Sequence, residues 1–77
     1  MTAIKFKTFD VRPLLARGTD PYDEIRRRVD ALAPGGGVAV VAPFMPAPLI
    51  EKLRSEGFQV RVERRADGAW AASFWMD

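Results

Sequence analysis

Asp10, Arg12, Arg17 and Asp20 are the charged side chains whose types and spacing support binding chemistry. Asp10 and Arg12 stand where an apolar–polar alternation ends, at the C-terminal end of a predicted strand. Open α/β sheets often place ligands there. Arg12 and Arg17 lie close to a helix start and have the donors to hold a phosphate or a carboxylate. The alternative is a salt bridge that orders the turn. Asp20 directly precedes Pro21. It either binds a partner through its carboxylate or acts as a helix N-cap, with Pro21 at the first helical position. A cap of this kind contributes about 1 kcal/mol, and capping is the reading we prefer.

Three apolar residues fall where solvent contact is expected. Phe44 and Met45 sit between Pro43 and Pro46 in a connection. They either fold back as a staple over the following helix or form a small contact patch for a partner. Trp75 belongs to the last strand, on the face expected to point away from the helices. It supports a homodimer, or the stacking of a nucleotide base beside Lys5, Lys7 and Arg61. The alternative is a ring lying flat under arginine stems.

The composition removes several classes of chemistry. The chain of 77 residues has no cysteine and no histidine, so disulfides, thiolate metal sites and the commonest general base near neutral pH are absent. No paired-carboxylate signature and no complete cofactor motif is present, so we expect no enzyme, no cofactor and no metal. Gly35-Gly36-Gly37 precedes a strand rather than a helix and lacks the Lys-Ser/Thr of a phosphate loop, so it is read as a connector. A net charge of +2 is weak support for a nucleic-acid partner. The run from Val38 to Pro48 is broken by prolines and too short to span a bilayer. A cytoplasmic location is the default.

These residues need a scaffold, and the patterning supplies one domain over 1–77. Ile4 to Asp10 alternates as a half-buried strand. Pro21 to Leu32 carries Tyr22, Ile25, Val29 and Leu32 at helical spacing, with acids before bases on the outer face. That order allows Asp23–Arg27 and Glu24–Arg28 pairs, and Arg26, Arg27 and Arg28 are read as a solvated face. Val38 to Ala42 is a buried central strand. Pro48 opens a second helix with Leu49, Ile50 and Leu53 inward, and Gly57 ends it. Phe58 to Glu63 and Trp70 to Met76 are strands joined by Ala66-Asp67-Gly68. A three-residue loop with Gly68 left-handed pairs Arg65 with Ala69, Val62 with Ala72 and Val60 with Phe74. The order βαβαββ predicts an α+β two-layer sandwich, a four-stranded sheet with two helices on one face.

The Phe9-Asp10-Val11-Arg12 turn followed by the Asp20-Pro21 helix start resembles the TusA/SirA family of small sulfur carriers. Similarity to an uncharacterised TusA-like branch, some of whose members are fused to hemerythrin-like domains, adds three segments. These are Asp30-Ala31-Leu32-Ala33-Pro34-Gly35, Pro46-Ala47-Pro48-Leu49 and the Trp70-x-x-x-Phe74 ending. The resemblance implies a mixed sheet of order 1-2-4-3 with the last strand antiparallel to the others. The implied edge strands carry Lys5 and Lys7, and Arg61 and Glu63, as charged edges that resist aggregation. It also implies a persulfide-bearing cysteine before the helix-opening proline. Asp20 stands there, and a carboxylate forms no persulfide.

The expected function is therefore a non-catalytic interaction or accessory module. Its partner is another protein or a second copy, engaged through Phe44, Met45 and Trp75. RNA or single-stranded nucleic-acid binding, and small-anion binding at Arg12 and Arg17, are the alternatives.

Overall fold

The computed structural model describes residues 4–76. Its elements are β1 (Lys5–Asp10), α1 (Arg12–Ala16), α2 (Tyr22–Asp30), β2 (Gly36–Ala42), α3 (Ala47–Ser55), β3 (Gln59–Arg64) and β4 (Trp70–Trp75). The sheet order is β1-β2-β4-β3, with β1 parallel to β2 and β4 antiparallel to both of its neighbours. The mixed four-stranded sheet is thus as expected. The helix inventory is not, because α1 is a third helix in a stretch read as a turn. It spans five residues with Pro13 in its first turn, where the missing N–H costs nothing. It closes on Gly18 at φ +77°, with the Thr19 N–H returning to the Leu14 carbonyl.

The N-cap of α2 is Pro21, one residue later than the sequence suggests, and no side chain caps it. The Asp20 carboxylate accepts the Tyr22 N–H at 2.9 Å, and the Pro21 carbonyl accepts the first helical bond from Ile25. The regular helix begins at Tyr22 and ends at Asp30, inside the expected span. Glu24 reaches both Arg27 at 2.6 Å and Arg28 at 3.3 Å. Arg27 is therefore held by Glu24 rather than by the shorter Asp23. Arg26 is not a solvated side chain. Its guanidinium bridges Asp30 at 2.8 Å and Glu56 at 2.6 Å, tying α2 to the end of α3.

The hairpin adopts the three-residue loop. The Arg65 N–H donates to the Ala69 carbonyl at 2.8 Å, Gly68 has φ +87°, and Val62 and Val60 pair with Ala72 and Phe74. The core lies between the sheet and α2 and α3. Phe74, Leu53 and Val40 are its largest fully buried side chains, with Ile25, Val29 and Ile50 closing it from the helices.

One face assignment is corrected. Phe9 and Val11 are buried in the core, so alternation places Lys5 and Lys7 on the helix side with Phe9 and sends Phe6 and Thr8 to the open face. The pairings Phe6↔Gly37 and Gly37↔Trp75 then set Phe6, not Lys5 or Lys7, in the row of Trp75. Val40 belongs to the core, and Val41 pairs with Ala71, away from Trp75. The open face therefore lacks the lysines that a base-stacking site beside Trp75 would use. Gly37 gives Phe6 its seat, since a Cβ there would lie 2.5 Å from Cδ1 and Cε1 of the ring. Phe6 meets Trp75 edge to face at 5.7 Å between centroids.

Phe74→Ala removes the largest fully buried side chain from the centre of this core. Chemical denaturation should show a loss of about 3–5 kcal/mol, enough to unfold much of a domain this small. A loss below about 1 kcal/mol would mean that the core is not organised around Phe74.

Candidate functional site

Five segments converge above the C-terminal end of β2. Leu15 comes from α1, and Pro21, Tyr22 and Ile25 from the start of α2. Ala42 lies at the strand end, Phe44 and Pro46 in the β2–α3 connection, and Pro48 and Leu49 in the first turn of α3. Between them is a groove of about 330 Å³, floored by Val11 and Val40 and bordered by Asp20. A volume of this order suits a small ligand or a few side chains of a partner. The prolines explain why the connection stands up rather than packing down. Pro43, Pro46 and Pro48 have fixed φ and no N–H to give to the sheet or to α3. Pro46 is buried while its neighbours Phe44 and Met45 remain 54 % and 48 % exposed. The staple is not formed.

The structure thus brings Asp20 and Phe44, two residues singled out in the sequence, to the same groove. Met45 lies beside Phe44 at the surface but outside the lining. Leu15, Tyr22 and Pro48 are walls that sequence reasoning missed as site residues. Tyr22 was assigned to the core stripe, yet it is exposed at the groove. Its position at the first turn of α2, directly after Pro21, is the signal that could have found it.

Arg12 and Arg17 are not brought together. Arg12 donates from Nε and Nη2 to Asp10, the latter at 2.7 Å, and from Nη1 to Asp67 at 3.2 Å. It is the turn-ordering salt bridge, and it also joins the end of β1 to the β3–β4 loop. An anion at Arg12 would have to displace two carboxylates. Hydrogen bonds from Arg12 hold the Asp10 carboxyl below its ordinary range. Asp67 is likewise held low, first by the Ala69 N–H and then by Arg65 and Arg12. Arg17 is exposed in a mixed-charge depression between α1 and α2 that also includes Asp20, Asp23 and Glu24.

Trp75 is partly buried on the open face, in a shallow depression with Ile4, Phe6, Arg61, Glu63 and Ser73. Phe6 packs against it, while Arg61 pairs with Glu63 at 2.8 Å. Phe6 is the residue missed here. Among the described residues no group of three His, Cys, Asp or Glu side chains is placed to hold a metal ion, and no helix is long and apolar enough to cross a membrane.

Fold and site together define a small α+β sandwich, without cysteine or histidine, that opens an apolar groove at its strand ends. Residues 8–76 match the family described as "Uncharacterized conserved protein (DUF2249)", and the chain belongs to that family. No curated protein and no solved structure matches the chain.

The Arg12 bridge has a pH signature. Carboxylates with lowered pKa contribute stability that is present above their ordinary value of 3.8 and is lost as pH falls through their folded values. Thermal melts followed by circular dichroism should therefore show a decline in midpoint below about pH 4. In Arg12→Gln the midpoint should be lower at neutral pH and the acid slope shallower. Equal slopes in the two proteins would remove Arg12 as the cause.

Proposed function

We propose that this domain is a non-catalytic interaction module that takes a segment of another protein into the groove between α1, α2 and α3. The observation that carries the reading is the groove itself, a nearly continuous apolar surface at the strand ends with Phe44 standing exposed on its lip. Exposed aromatic residues beside a desolvated pocket are the usual energetic anchors of a protein contact. The lining is a poor instrument for catalysis. Its titratable side chains are Asp20 and Tyr22, and one oxygen of Asp20 already accepts the Tyr22 N–H. The resemblance to small sulfur carriers supports the location, since Asp20 occupies the place of their reactive cysteine, while the side chain itself removes their chemistry.

Self-association through the open sheet face is the second reading, favoured by the Phe6–Trp75 pair on a face that no helix covers. Light scattering over a range of concentration separates the two. The groove reading expects a monomer both in the wild-type protein and in Trp75→Ser. A wild-type dimer that Trp75→Ser dissolves would assign the association to the sheet face instead.

A photoreactive phenylalanine analogue at position 44, introduced in cells that produce the protein, should yield a discrete protein adduct that the same analogue at Glu51 does not. Phe44→Ser should leave stability within about 0.5 kcal/mol and weaken that complex at least about tenfold. Full retention of the complex in Phe44→Ser would reject the groove as the contact.

A further inference from the structure

We propose that the segment seated in the groove carries a basic side chain next to its apolar anchor, and that Asp20 is the residue that recognises it. This rests on the groove being a protein-binding site, and it names the chemistry of the occupant.

Among the described residues lining the groove, Asp20 is the one that is charged at neutral pH; the rest are aliphatic, aromatic or proline. Its carboxylate is also unspent. Oδ1 accepts the Tyr22 N–H at 2.9 Å, which leaves further lone pairs on both oxygens. Among the described residues six other acids are paired. Asp10, Glu24, Asp30, Glu56, Glu63 and Asp67 each hold an arginine. Asp20 holds none among the described residues, although Arg17 lies in the depression on its other side. Asp23, in the first turn of α2, holds no arginine among the described residues because Glu24 takes Arg27, but it lies in the Arg17 depression rather than in the groove. Glu51 likewise holds no arginine among the described residues, and it does not line the groove. In a chain of net charge +2, the α2 end of the groove therefore offers one carboxylate without an ion-pair partner, that of Asp20, beside an apolar wall.

Charge complementarity then selects the occupant. An apolar side chain filling the groove strips water from Asp20. A neutral neighbour would leave that carboxylate desolvated and unpaired, and an acidic one would add repulsion. A lysine or arginine restores the lost hydration with a charge-assisted hydrogen bond. The bond from the Tyr22 N–H already holds Asp20, so little side-chain freedom is lost on binding. Discrimination comes as much from rejecting acidic segments as from attracting basic ones.

The test uses the full chain, labelled with ¹⁵N, and three short amidated peptides in which Leu-Phe is followed by Lys, Gln or Glu. Amide shifts at Tyr22, Ile25, Phe44 and Leu49 report the groove. The lysine peptide should bind about fivefold more tightly than the glutamine peptide, the range of a partly exposed ion pair, and the glutamate peptide more weakly still. Asp20→Asn keeps a side-chain oxygen that can accept the Tyr22 N–H, and it should erase the ranking. In the wild-type protein, raising the salt concentration should compress the same ranking, which supplies the test independently of any variant. Equal binding of the three peptides at the groove would overturn the role of Asp20 and leave the apolar groove standing. Shifts confined to other surfaces, or none with any peptide, would overturn both.

Discussion

Phe9 points at the helices, and because a strand alternates, every other residue of β1 is thereby assigned a side. Val11 continues inward and becomes part of the groove floor. Asp10 is turned to the opposite face, where Arg12 meets it and reaches on to Asp67. Phe6 is sent to the open face and settles on Gly37 against Trp75. Lys5 and Lys7 go to the helix side, near the α2 end and the glycine loop. The parity of one six-residue strand thus distributes the aromatic contact, the charged bridge and the groove floor among three separate places. A slip of one residue would exchange all of them at once.

The groove has a simple physical origin. A βαβ crossover normally drops its helix directly onto the sheet. Here the chain leaves β1 through the short α1, turns at Gly18 and starts α2 only after Asp20 and Pro21. On the other side, the β2–α3 connection passes through Pro43, Pro46 and Pro48, with Pro46 buried and Phe44 exposed. Val40 and Ala42 are buried beneath both crossovers, and the groove is the depression left between the crossovers above them. At the opposite end of the helical layer, Arg26 binds Asp30 and Glu56 and holds α2 against α3. The layer is tied at one end and open at the other.

Much of this was legible in the sequence, and the remainder was hidden for identifiable reasons. Ala66-Asp67-Gly68 specified the loop, and the apolar alternation of Val60, Val62, Ala72 and Phe74 fixed the register, because only one pairing gave a clean face. Asp20 and Gly57 marked helix boundaries by local chemistry that needs no tertiary information. The side chosen by β1 was not readable, since Phe6 and Phe9 offer an aromatic residue to each face and periodicity alone cannot rank them. α1 is too short to display a helical period. Arg12 and Arg17 are near in sequence, but their directions depend on α1 and on Asp67, which is contributed from the far hairpin. The groove could not be read at all from local pattern, because its walls come from five segments that meet only in the folded chain. The family match extends over 8–76 and describes an uncharacterised conserved protein, so the arguments for function rest on the residues themselves.

Gly37 and Phe6 carry one further consequence. A glycine in a central strand ordinarily forfeits packing on the face where its side chain would stand. Here the vacancy is filled from the adjacent strand, because the Phe6 ring occupies the space a Cβ on Gly37 would need. The volume at position 37 and the volume at position 6 are therefore a single quantity shared across β1 and β2. Growth at position 37 requires shrinkage at position 6, although thirty residues of chain lie between them, and the Phe74 carbonyl, 3.0 Å from the same Cβ position, limits that growth further.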